Sequence, residues 1–247
     1  MQLIPTLTLL LIAGFKLSSA LVVSPESYDY DSLESSHTHT DKIRSLKGIQ
    51  KILKKADIIH DVLDPFIPSC YLAPSYSLSS TQKDVKLGNT IKPAKTQEAP
   101  SIKIFCPGKM TVSGGLTIIL TDPDAPSRGN NSLSEMCHWI ARVPEVVIGK
   151  LGIIADLNAT DLVSVVDYKA PAPPKGTGKH RYVFVLLEGA NDDLKTPEER
   201  KHWGFEEPGS GVREWAEREG LSVVGANFHY EKFHAEKEST FEAQFWY

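Results

Sequence analysis

Two carboxylates, two imidazoles and a phenol stand at the ends of apolar runs in this chain. The run Leu116-Thr117-Ile118-Ile119-Leu120 leads into Thr121-Asp122-Pro123-Asp124-Ala125-Pro126-Ser127-Arg128. An almost wholly apolar strand of this kind is buried on both faces, and it delivers Asp122 and Asp124 onto a turn whose φ angles are restricted at Pro123 and Pro126. Further on, Cys137-His138-Trp139-Ile140 sets an imidazole in a second apolar stretch. A Pro/Gly-rich segment, Ala172-Pro173-Pro174-Lys175-Gly176-Thr177-Gly178, then precedes Lys179-His180-Arg181-Tyr182 and the apolar run Val183-Phe184-Val185-Leu186-Leu187. Loops at the ends of rigid strands are where binding and catalytic groups are presented.

Such groups suit either ligand binding or acid–base chemistry. Asp122 with His138 would serve a hydrolase, but no nucleophile motif accompanies them. Gly209-Ser210-Gly211 lacks the Gly-x-Ser-x-Gly elbow. Neighbouring residues have plainer readings: Arg181 and Asp124 as a structural ion pair, Trp139 as core, His229 and His234 as surface residues. No Cys-x-x-Cys pair is present, and His37-Thr38-His39 has no carboxylate or cysteine cluster beside it. No metal site and no cofactor is therefore expected.

The elements that must hold these residues follow from periodicity. Between 41 and 63, Ile43, Leu46, Ile49, Leu53, Ala56, Ile59 and Leu63 recur at intervals of three and four. This predicts one amphipathic helix, capped by Asp41, broken near Asp57 and stopped by Pro65 and Pro68. Strand-like stretches follow at 70–78, 101–106, 116–120, 137–142, 162–168, 181–188 and 223–230, separated by Pro, Gly, Asn and Asp. Ser210 can cap a short helix over Val212, Trp215, Ala216 and Glu219 that Gly220 ends. The pattern predicts a mostly β fold with peripheral helices.

Composition narrows the function classes. The chain has 247 residues, 27 basic and 31 acidic, for a formal net charge of −4. No basic block exceeds Lys54-Lys55, which excludes a nucleic-acid binder of the electrostatic kind. With 17 Gly and 16 Pro and no repeat, a helical bundle, coiled coil or collagen is excluded. Residues 1–15 are apolar and Ser18-Ser19-Ala20 are small, the pattern of a secretory signal peptide cleaved before Leu21 and too short for a permanent transmembrane segment. The sequons at Asn130 and Asn158 fit that secretory route. Of three cysteines, Cys70 and Cys106 close strand-like segments and are expected to form a disulfide, leaving Cys137 as a buried thiol facing away from His138.

Together, residues 121–128, 137–140 and 173–182 resemble the phosphatidylethanolamine-binding protein family. The Asp-Pro-Asp-x-Pro and Gly-x-His-Arg-Tyr signatures stand in the family's order. The stretches 88–93 and 227–230 also look like family segments, and the chain is most similar to secreted fungal members. The resemblance implies a β-sandwich with an N-terminal helical prefix and one small anion pocket. It divides the chain into a signal peptide (1–20), an acidic leader (21–40), the prefix (41–63), the domain (64–234) and a tail (235–247). Asp122, His138, His180 and Tyr182 would line the pocket with Pro174 on its rim; Asp124, Pro126 and Arg181 would support them, with Ala125–Pro126 cis. Imidazoles and a phenol donate hydrogen bonds to phosphate oxygens, while Asp122 would hold a histidine or a ligand ammonium. Ala170 and Ala172 stand where the family often has glycine. The implied function is a secreted, non-enzymatic binder of phosphate or phospholipid head groups. A serine carboxypeptidase inhibitor is the alternative and a hydrolase using Asp122 and His138 the second.

Overall fold

Residues 46–78 and 81–235 are described by a computed structural model. The export segment, the leader with its histidines, the Asp41 cap and all of the tail beyond 235 lie outside the described residues. Strands β1 (Tyr71–Leu78), β2 (Thr81–Asp84), β4 (Ser101–Pro107), β7 (Val147–Gly149) and β8 (Gly152–Leu157) form an antiparallel sheet in the order β2-β1-β4-β8-β7. A second sheet holds β3 (Asn89–Thr90), β5 (Gly115–Asp122), β6 (Met136–Val143), β9 (Val163–Val166), β10 (Lys179–Gly189) and β11 (Ser222–Lys232), in the order β3-β11-β10-β5-β6-β9. Its neighbours are antiparallel except β3 with β11.

The apolar runs explain this layering. In β5, Leu116, Ile118 and Leu120 join Leu72, Tyr76, Ile102 and Ile104 between the two sheets. Ile119 points to the opposite face, into a second core with Ile49, Leu53, Trp203 and Trp215. The six-stranded sheet is thus covered on both sides, by the five-stranded sheet and by helices. These are α1 (Leu46–Lys55) and α3 (Val212–Arg218), with a single turn α2 (Ile58–Asp61) after α1. Alternation along β10 divides labour: Tyr182, Phe184 and Leu186 face the other sheet, while Val183, Val185 and Leu187 face the helices.

The structure refines several expectations. The prefix breaks at Asp57, whose φ of 56° ends α1. Ser210 does not cap α3; the Glu214 carboxylate instead accepts the Gly211 N–H at 2.8 Å. The β7–β8 hairpin was not anticipated, because its turn glycines (Gly149 and Gly152) read as loop. Cys70 and Cys106 form a disulfide that ties the entry of β1 to β4. Cys137 is a buried thiol in the helix-side core, and burial pushes its pKa up to about 12. The Ala125–Pro126 bond is cis.

The prefix is integral to this core, since Leu53 is fully buried in it. Leu53→Ala should therefore lower unfolding free energy by about 2–5 kcal/mol. Urea denaturation checks this, and a loss under about 1 kcal/mol would mean the prefix is a loosely held appendage.

Candidate functional site

The Asp-Pro-Asp turn leaves β5 with its carboxylates already committed. Asp122 Oδ1 accepts the Asp124 N–H at 2.8 Å, closing an Asx turn. Its Oδ2 accepts from His180 Nδ1 at 2.8 Å. Asp124 turns to the other face and grips Arg181: its Oδ2 takes the Arg181 backbone N–H and Nε, and its Oδ1 takes Nη2 at 2.7 Å. Arg181 Nη1 then reaches the prefix, donating to Ala56 O at 2.9 Å and Asp61 Oδ2 at 2.8 Å. Adjacent residues of β10 therefore serve different layers, Arg181 fastening the prefix and His180 holding Asp122.

His138 reaches the same place by a β-bulge. Leu120 pairs with Trp139 and Thr121 with Cys137, so His138 is the extra residue between them. Bulges of this kind re-aim a side chain. His138 Nδ1 lies 2.7 Å from the Lys169 carbonyl, which only accepts, so Nδ1 carries the proton. The Lys169 N–H returns a bond to the His138 carbonyl at 2.7 Å. Arg200 donates to the Cys137 and His138 carbonyls and pins this end of β6.

Tyr182 is the centre of the group. His138 meets its ring edge-on at 5.2 Å, and His180 lies nearly parallel at 6.3 Å. Asp122, His138, His180 and Tyr182, which the sequence singled out, are thus together, each 4% exposed or less. The Pro/Gly loop folds back over His180. Thr177, on the Pro174–Thr177 turn, gives its hydroxyl proton to the Pro174 carbonyl, and its oxygen lies 2.8 Å from His180 Nε2. His180 Nδ1 donates to the Asp122 carboxylate, and the imidazolium form is the one in which Nε2 donates as well. Burial opposes the charge, but the Asp122 hydrogen bond and the carboxylates of Asp122, Asp124 and Glu231 outweigh it and raise the His180 pKa. His138 has no such partner, and burial lowers it to about 4. The Asp122–His138 pair on which a hydrolase would depend is not formed, because Asp122 holds His180.

Two members of the cluster were missed. His229, read from the sequence as a surface residue, is fully buried and stacks on Tyr182 at 5.5 Å. Its Nε2 pairs with Glu231 Oε1 at 2.9 Å, and Glu231 is the cross-strand partner of His180. His229 Nδ1 and Glu231 Oε2 are buried without partners. Their alternation with Phe228 and Tyr230 was the available signal: it puts both on the face that Tyr182 and His180 share. Two surface hollows lie elsewhere, about 330 Å³ beside Cys137 and Arg200 and about 820 Å³ around Lys109 and Glu188.

The family model described as phosphatidylethanolamine-binding protein matches residues 81–230, which include the turn, the bulge and β10. The chain belongs to this family. It is 36% identical over 183 residues to the uncharacterised protein YLR179C of Saccharomyces cerevisiae, covering 72% of this chain and 90% of that protein. It is also 31% identical over 198 residues to the carboxypeptidase Y inhibitor of the same yeast, covering 70% and 88%. A carboxypeptidase Y inhibitor solved in complex with its cognate proteinase superposes with a TM-score of 0.67 at 30% identity, covering 78% of this chain and 98% of that one. A phosphatidylethanolamine-binding protein from Plasmodium vivax shares the fold, with a TM-score of 0.57 at 21% identity, covering 75% and 97%. This is a binding-protein family, and Asp122, His138, His180 and Tyr182 lie together in one buried cluster.

The lowered His138 pKa makes a signed prediction. Unfolded, the imidazole titrates near 6.5; folded, near 4. Between these values the unfolded chain binds the extra proton, so His138's contribution to stability falls as pH drops from about 6.5 to about 4. The total is roughly 3 kcal/mol. His138→Phe should flatten the wild-type decline in urea stability over that window, and parallel pH profiles would show that His138 is not held neutral.

Proposed function

We propose that this protein is a secreted, non-enzymatic binder that takes the phosphate of a head group, or another small oxyanion, on His180. One observation carries the reading: the outward nitrogen of His180, an imidazole whose pKa Asp122 raises, lies 2.8 Å from a hydroxyl oxygen on a half-exposed turn. An oxyanion oxygen that displaced Thr177 would meet the N–H that the imidazolium form carries there with a stronger, charge-assisted bond. The Asp122 hydrogen bond to Nδ1 would be untouched. Gly176 and Gly178, both at positive φ with open space around them, flank Thr177 and let the turn move without a clash. Tyr182 and His138 would form the floor and Pro174 the rim. Export supports a role outside the cell: the first 20 residues read as a signal peptide, and Asn130 and Asn158 are both exposed, as glycan acceptors must be.

A second reading is favoured by the resemblance to the yeast carboxypeptidase Y inhibitor over most of that protein's length. On this reading the protein inhibits a serine carboxypeptidase. The acidic leader at 21–40 would then be part of the segment offered to the peptidase.

The two readings separate experimentally. Titration with phosphate and phosphorylethanolamine should show binding that His180→Ala weakens by roughly 1–3 kcal/mol. Affinity should fall as pH rises through the raised His180 pKa, because the neutral ring keeps its proton on Nδ1 for Asp122 and turns a lone pair outward. Equal affinities for both proteins at about pH 5.5 and about pH 8 would end the oxyanion reading. Incubation with a purified serine carboxypeptidase should give stoichiometric loss of peptidase activity if the second reading holds. Full activity at excess inhibitor would remove it and leave the first intact.

A further inference from the structure

The layer of helices that covers the six-stranded sheet carries opposite charge at its two ends. The outer side of α1 is cationic. Lys47, Lys51, Lys54 and Lys55 are all exposed, and their intervals of four, three and one set them on the side of the helix away from the buried Ile49 and Leu53. No acid lies within α1, and like charges three or four residues apart weaken a helix. None of the four lysines forms an ion pair with a described residue. The three carboxylates that follow α1 are already taken: Asp57 by Arg128 at 2.7 Å, Asp61 by Arg181 at 2.8 Å and Asp64 by Arg213 at 3.0 Å. The other end is acidic. Residues 192–219 hold nine Asp and Glu against five Lys and Arg. Their loops gather on α3, where Trp215 Nε1 donates to the Lys195 carbonyl at 2.9 Å and the Arg218 guanidinium lies 5.0 Å from the Phe205 ring. Asp193, Glu206, Glu207 and Glu217 are exposed there and make no ion pair with a described residue. Arg213 of α3 joins the two ends, donating to the His60 carbonyl at 2.8 Å as well as to Asp64.

Two such layers complement each other. When two copies face one another across a two-fold axis, each patch meets the opposite patch of its partner, and both contacts form at once. We infer that this chain pairs with a second copy of itself through the helix layer, the α1 lysines of each copy lying on the acidic surface around α3 of the other. A lipid surface suits the stripe less well, because the apolar side of α1 is spent in the core and leaves nothing to insert. From Lys47 to Lys55 the stripe is about 12 Å long, so its charges act together at low ionic strength. Exposed ion pairs are individually weak, which makes the dimer dependent on salt and on concentration. The pairing goes beyond both functional readings and consumes neither, since Tyr182 faces the other sheet.

Sedimentation equilibrium of the full chain, at concentrations up to about 1 mM, is the test. In about 10 mM salt the mass should rise toward that of a dimer, and in about 1 M salt it should return to that of one chain, as the screening length falls from about 30 Å to about 3 Å. The double variant Lys51→Glu/Lys55→Glu should weaken self-association at low salt by about 10-fold or more. Glu206→Lys/Glu207→Lys should do the same. Mixed in equal amounts, the two variants should pair at least as well as the wild type, because each offers the charge that the other lacks. Damage to α1 in one variant cannot imitate that rescue. Should a variant unfold, the salt series of the wild type and the other variant still decide. A chain that stays single in low salt, association that neither salt nor the substitutions alter, or a mixture of folded variants that fails to pair overturns the inference. Capture of the single chain by anionic phospholipid vesicles, lost in Lys51→Glu/Lys55→Glu, overturns it as well and gives the stripe a lipid partner.

Discussion

Arg181 sits almost wholly out of water between the prefix and the Asp-Pro-Asp turn, and the arrangement of the site follows from the need to satisfy it. Burying a guanidinium without partners would cost several kcal/mol. Here every nitrogen of the planar group has a partner: Asp124 takes Nε and Nη2, and Asp61 and the Ala56 carbonyl take Nη1. Because Asp124 is committed to that face, the turn cannot rotate. Its N–H then fixes Asp122, which in turn holds His180, the residue before Arg181. The ion pair is worth little as net stabilisation, since desolvation offsets much of the attraction. Its effect is positional, linking the prefix, the turn and β10 in a single register.

Protonation is distributed by the same logic. Two histidines flank Tyr182 at similar depth, yet their pKa values diverge. His180 faces a carboxylate, which raises its pKa against the cost of burial; His138 faces a carbonyl, which stabilises the positive form far less, and desolvation prevails. Tyr182, between them and near Asp122 and Glu231, has its pKa raised by burial first and by those carboxylates second, so it remains a phenol. Environment thus pushes the two imidazoles in opposite directions and keeps the phenol neutral.

Much of this was legible in the residues. The apolar run before Asp122 had to be a strand buried on both faces, and β5 is one. The single-residue step from His180 to Arg181 had to send them to opposite faces. Recognition of the family by its two signatures placed four site residues in one cluster that periodicity alone could not have assembled. What escaped has a common cause. Asn227, His229 and Glu231 form a polar phase along β11, and a polar phase ordinarily marks a solvated face. Here the five-stranded sheet covers it, and sequence periodicity within one strand cannot tell a second sheet from water. The Thr177 contact escaped for a related reason: a threonine in a Pro/Gly loop reads as turn chemistry, and its approach to His180 depends on how that turn folds back.

The Thr177 contact also bears on how tightly such a site can bind. Asp122 takes the His180 Nδ1 proton, and Thr177 Oγ1 lies against His180 Nε2 and the Pro174 carbonyl. On the proposed reading, an oxyanion at His180 would exchange one hydrogen bond for another and gain only the difference between a hydroxyl oxygen and a charged one. Thr177 must in turn find water, which its turn at the surface allows. This limits affinity and raises selectivity, because a ligand that reproduces only the Thr177 oxygen gains little over the closed state. Net gain requires using groups that the closed form leaves unanswered. His138 Nε2 is such a group at the ring of Tyr182. His229 Nδ1 and Glu231 Oε2 are others, buried behind it.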